Sequence, residues 1–153
     1  MFTLCRRFLN YVRVRSAIRH ADRLHQLTRK QYYEKARRFL INPVQKVVTV
    51  KRDKSIQNMT YAGETALSRM SMLNPPEIEE VAVYKADMKI NEFEMLDERL
   101  SEPTKLVRIQ LWKYNPLLFA SNGMVDKVSL ACSFIDNKDE RIESSIEEML
   151  EEI

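Results

Sequence analysis

Glycine is nearly missing from this chain of 153 residues, which holds only Gly63 and Gly123. A P-loop or a dinucleotide fingerprint needs several glycines so that backbone amides can approach phosphates closely, and both are therefore excluded. Histidine is equally scarce. His20 and His25 stand five apart, off a shared helical face, and no Cys, Asp or Glu triad surrounds them at metal-ligand spacing. A structural or surface role is expected for both, with no metal and no other cofactor. Cys5 and Cys132 are far apart and neither belongs to a C-x-x-C pair, so a reducing, cytoplasmic chain without a structural disulfide is expected. Long apolar runs are absent too. FLNYVRV and VSLACSFI are short and end in charges, whereas a bilayer-spanning helix needs about 20 apolar residues. Ser68 and Ser71 have no histidine in their half of the chain, so local sequence assembles no Ser-His nucleophile pair.

Acids are missing from one end, and that imbalance is the strongest positive feature. Residues 1 to 54 hold fifteen Lys or Arg against three acids, and the remainder holds ten against nineteen, behind a formal net charge of only +3. A split of this kind points to a basic arm that meets an anion. Hydrophobic residues at 44% against 31% charged are enough to build one globular core behind that arm.

The spacing predicts a helix from Phe2 to about Leu27, where Leu4, Phe8, Tyr11, Val14, Ile18 and Ala21 recur at intervals of three and four. Arg6, Arg13, Arg19 and Arg23 fall off that stripe, and Arg7 and Arg15 lie within or beside it. An Arg-rich start without acids before Asp22 is also the composition of an organelle transit peptide. Thr28 can cap a second helix that Asn42-Pro43 stops. VQKVVTVKR reads as a strand, as does VAVYK, and Phe93 to Leu96 as a short one.

Tyr61 to Pro76 reads as one short buried helix, with Leu67, Met70 and Leu73 inward and Asn74-Pro75-Pro76 as its stop. In KLVRIQLWKY, Val107, Ile109 and Leu111 face one way and Arg108, Gln110 and Trp112 the other. Asp126 can cap a helix through VSLACSF, and a Glu-rich final helix carries Ile142, Ile146 and Met149 or Leu150 inward. The expected fold is α+β, a small mixed or antiparallel sheet with helices mainly on one face, plus an N-terminal basic helix. Residues 1–31 form the arm and 32–153 the domain. Leu67, Met70, Leu73, Val81, Val83, Val107, Ile109, Leu111, Leu130 and Ile146 are expected to share one core, with Trp112 on a second packed face or at an interface. Asp97, Glu98 and Glu102 near Arg99 and Lys105 read as a surface salt-bridge cluster.

YAGETALSRMSMLNPP, VAVYK and LVRIQLWKYNPLLFASNGMVDKVSLACSFIDNKDERIESSIEEML together resemble the C-terminal domain of winged-helix regulators similar to AbiEi-type antitoxins of type IV toxin-antitoxin systems. The motifs carrying the likeness are Gly63 to Leu67, Met72 to Pro76, Trp112 to Pro116, Val125 to Leu130 and Asp139 to Ile142. The resemblance covers about residues 32–153. The winged helix-turn-helix that such regulators place ahead of this domain has no room in residues 1–31, so it is expected to be missing.

What the resemblance implies is a non-enzymatic regulatory or interaction domain, antitoxin-like or transcription-regulator-like, with a toxin or another protein as partner. Non-specific nucleic-acid contact is open to Arg6, Arg7, Arg13, Arg15, Arg19 and Arg23, since phosphate binding needs only Lys and Arg. A membrane-surface or partner-binding adaptor is an alternative, as is an arm that covers the chain's own acidic helix. A nucleotidyltransferase-type enzyme is a further one. It would need a G-S motif followed by spaced aspartates to hold Mg²⁺, and no G-S pair occurs.

Overall fold

The computed structural model describes residues 29–37, 40–89 and 92–151. The predicted first helix, and with it Arg6, Arg7, Arg13, Arg15, Arg19 and Arg23, lies outside the described residues. The chain builds α1 (Arg29–Ala36), β1 (Val44–Lys51), β2 (Thr60–Tyr61), α2 (Gly63–Ser68), β3 (Glu79–Tyr84), β4 (Leu106–Trp112), α3 (Lys127–Ser133) and α4 (Glu140–Glu151). The four strands form one sheet in the order β1-β4-β3-β2. β1 runs antiparallel to β4, β3 parallel to β4, and β2 antiparallel to β3. The fold is α+β with a mixed sheet, as the sequence predicts.

β4 sits inside the sheet and is buried on both faces, with Arg108 the one residue of the strand that stays partly open. Its alternation therefore feeds two cores rather than one. Val107, Ile109 and Leu111 join Val48, Val50, Val81 and Ile56 on one face, where Met59, Met88 and Phe93 from the loops pack over them. Trp112 and Ala82 point the other way, into a cluster with Leu67, Leu130, Ala131, Ile146, Met149 and Leu150 from the helices. The ten residues expected to share a core are thus divided by the sheet. Leu67, Leu130 and Ile146, with Met70 and Leu73 packed beside them, lie on the helical side; Val81, Val107, Ile109 and Leu111, with Val83 beside them, lie on the loop side. The physical reason is that the connections β1–β2 and β3–β4 together carry enough apolar surface, in Ile56, Met59, Met88 and Phe93, to bury the face the helices leave.

Two further expectations change. The predicted helix over Tyr61 to Pro76 shrinks to α2, because Tyr61 is drawn into β2 and bonds on its outer side to Gly123 O and Val125 N. At the other end, Ser68 and Ser71 donate their hydroxyls to Thr65 O at 3.0 Å and Leu67 O at 2.8 Å, competing with the helix ladder. The predicted strand over Phe93 to Leu96 is one bridge, Val50 to Met95. It still covers the outer edge of β1 at Thr49 and Lys51, and an irregularity between Val44 and Lys46 disturbs the rest of that edge. Both are devices that discourage strand addition. α3 and α4 form as predicted. Asp126 accepts from the amides of Val128 and Ser129, both at 3.1 Å, and Lys127 Nζ reaches across to Met149 O at 2.8 Å, satisfying a carbonyl near the end of α4.

Candidate functional site

α2 starts without a cap of its own, since Ala62 has no side-chain acceptor. Glu80 of β3 supplies one. Its Oε2 accepts the Glu64 amide at 2.7 Å, while the Glu80 amide donates to Thr65 Oγ1 at 2.9 Å. This exchange does across a strand what a capping box does within a helix. It requires close approach at Gly63, where φ is 55° and an added Cβ would overlap Glu80 Oε2 and come within 2.7 Å of Gln110 Nε2.

The same carboxylate begins a polar band across the helix-facing side of the sheet. Arg108 Nη1 lies 3.7 Å from Glu80 Oε1, and its Nε and Nη2 donate to both oxygens of Glu98 at 2.8 and 2.6 Å. Thr49 Oγ1 donates to Glu98 Oε1 at 2.5 Å. Gln110 Oε1 accepts from Trp112 Nε1 at 3.1 Å, which closes the band against the apolar cluster. The bonds from Arg108 and Thr49 hold the Glu98 carboxyl down at about 2. Glu80 moves the other way: burial raises its pKa, and the Glu64 amide and Arg108 only partly offset that. Glu98 therefore does not belong to the exposed cluster with Asp97 and Arg99. It turns onto the sheet, where a bidentate guanidinium pair outweighs a solvated ion pair, and Glu102 is left with Lys105 at 2.8 Å. These contacts hold the sheet to α2. Ser68 and Ser71 likewise serve backbone carbonyls, and burial raises the Cys132 thiol above its ordinary range.

A second feature lies on the last helix. Glu140, Glu143, Glu147 and Glu151 are exposed along α4, opposite its buried face. α1 rests against this helix and α3: Tyr33 OH donates to Ala131 O at 3.3 Å, and Arg37 Nη1 pairs with Glu143 Oε1 at 3.2 Å. Burial pushes the Tyr33 phenol up to about 12. The crevice between α1 and α4 is lined by Tyr33, Phe134, Ile146 and Leu150, with Glu143 and Glu147 beside them.

No spacing in the sequence groups Glu80, Glu98 and Arg108. The available signal was the polar phase of β4, in which Arg108 and Gln110 occupy the face that Trp112 buries. Among the described residues no group of three or more His, Cys, Asp or Glu could hold a metal ion, and no helix is long and apolar enough to cross a membrane. Comparison with family models, with curated proteins and with solved structures gives no match.

Proposed function

We propose that the chain is a non-enzymatic regulatory or interaction domain, antitoxin-like or transcription-regulator-like, that acts in the cytoplasm with a toxin or another protein and contacts nucleic acid non-specifically through its basic arm. The observation that carries this reading is electrostatic layout. Glu140, Glu143, Glu147 and Glu151 line α4, and α1, which continues the Arg-rich segment, rests beside that helix, with Arg37 just past its end paired to Glu143. An arm tethered there has two anions to choose between. Its own acidic helix is present at high effective concentration, and a phosphate backbone competes by offering a denser, longer row of charge. Regulation follows from that competition, since whatever engages the acidic face frees the arm.

Such an arm positions but does not read sequence, because base discrimination needs donors and acceptors placed against base edges in a groove. Labelled duplexes of unrelated sequence should therefore bind the full chain with similar affinity. Replacing Arg6, Arg13, Arg19 and Arg23 with Gln should weaken all of them by the same factor. Failure of the full chain to bind any duplex, or binding that is indifferent to the four substitutions, would overturn the proposal.

A further inference from the structure

Two exposed surfaces at opposite ends of β3 each carry exposed apolar side chains and are opposite in charge. Beyond the C-terminal end of the strand, the turn Pro116–Leu118 holds Leu117 and Leu118 out of the molecule at 62% and 58% exposure. The turn is rigid: Pro116 is buried and Asn115 Oδ1 accepts the Leu117 amide at 2.9 Å. Exposed Lys113 precedes it, and exposed Lys85 is fixed alongside by its amide bond to Trp112 O at 3.0 Å. Asp87 is the acid of that neighbouring turn. Before the N-terminal end of β3, a shallow depression has Met72, Leu73 and Pro76 in its wall together with Glu77, Glu140 and Glu148. Met72 is 87% exposed, and the Glu148 carboxylate holds its amide at 3.2 Å. Arg141 also borders the depression but is engaged by Asp139 at 2.7 Å.

We infer that the depression receives the Leu117–Leu118 turn of a second copy of this chain, with Lys85 and Lys113 meeting the acidic rim at Glu77 and Glu140. An apolar pair beside lysines suits a depression whose wall sets Met72, Leu73 and Pro76 among carboxylates, and ordering such a turn costs little because it is already hydrogen-bonded. The strand between the two surfaces keeps them apart, so one chain cannot satisfy both by itself. The contact is head-to-tail, which builds a ring or an open chain of copies rather than a twofold dimer. Its small area makes it a weak association, and its charged rim makes it salt-sensitive.

Sedimentation velocity of the full chain over a wide concentration range tests this. The expected result is a weight-average mass that rises with concentration and falls with added salt. Leu117→Ser with Leu118→Ser should weaken association by about tenfold or more, as loss of central anchors does. Lys85→Glu with Lys113→Glu, and Glu77→Lys with Glu140→Lys, should each leave monomers, and mixing these two variants should restore association. All six positions are exposed, and matching far-ultraviolet circular dichroism checks that each variant is folded. A chain that stays monomeric throughout, or one that associates undiminished without the two leucines, would overturn the inference. Association lost only on replacing the arm arginines would assign the depression to the basic arm and overturn it equally.

Discussion

Gly63 and Gly123 are the chain's two glycines and both have positive φ, 55° and 73°, but their surroundings differ. An alanine Cβ meets nothing within 4 Å at Gly123, whereas at Gly63 it strikes Glu80 and Gln110. Gly123→Ala should cost about 1 kcal/mol, the ordinary left-handed penalty. Gly63→Ala should cost distinctly more, because it also breaks the cap that Glu80 gives α2; urea unfolding of the two variants checks the order. Glu98 makes a pH-dependent prediction at the same scale. Its folded pKa of about 2 lies below its unfolded value, so its contribution is complete above about pH 4.3 and fades as pH falls through 2. Glu98→Gln should cost about 1–2 kcal/mol at neutral pH, less than a buried hydrogen bond to a charged group because the side chain is 36% exposed, and the gap from the parent should close near pH 2. Glu80 has the opposite sign. Its raised pKa adds a destabilising term that appears as pH rises through the carboxylate range and remains above it. The partners of Glu98 and Glu80 are illegible in the sequence because they come from other elements, β1 and α2: Thr49 lies 49 residues from Glu98, and Glu64 lies 16 from Glu80.

Elements whose pattern is local came through well. β4 was legible because its alternation is strict, α3 because Asp126 caps it directly, and α4 because Ile142, Ile146, Met149 and Leu150 repeat against glutamates. The pattern overextends α2 because Met70 and Leu73 keep helical spacing and stay half-buried, although the serines at 68 and 71 have already turned the backbone away. β2 leaves no signal in the sequence because two residues carry no periodicity, and only the pairing of Thr60 with Ala82 and Tyr61 with Val81 defines it. Trp112 is the element-scale test of the helical core. It is fully buried, stacks edge-on to Tyr114 with ring centroids 5.6 Å apart, and donates to Gln110. Trp112→Ala should destabilise by about 3–5 kcal/mol, read by chemical denaturation followed by circular dichroism. A loss under 1 kcal/mol would mean that α2, α3 and α4 do not close over that face.

For the molecule as a whole, the sheet and its two cores are the platform, and the proposed function rests on the charge split. The division into a basic segment and an acidic helix was legible from residue counts, since charge asymmetry survives any folding. Where the acidic half would sit was not. Only the structure places Glu143 beside Arg37 and sets the exposed carboxylates of α4 along the helix that α1 touches. The proposed competition between that helix and a phosphate backbone is tested most directly by the affinity of the full chain for duplex DNA across a salt series. With about six phosphates neutralised by Arg6, Arg7, Arg13, Arg15, Arg19 and Arg23, log K should fall against log salt with a slope of about −5. A slope near zero, or no detectable binding at the lowest salt, would contradict the proposal.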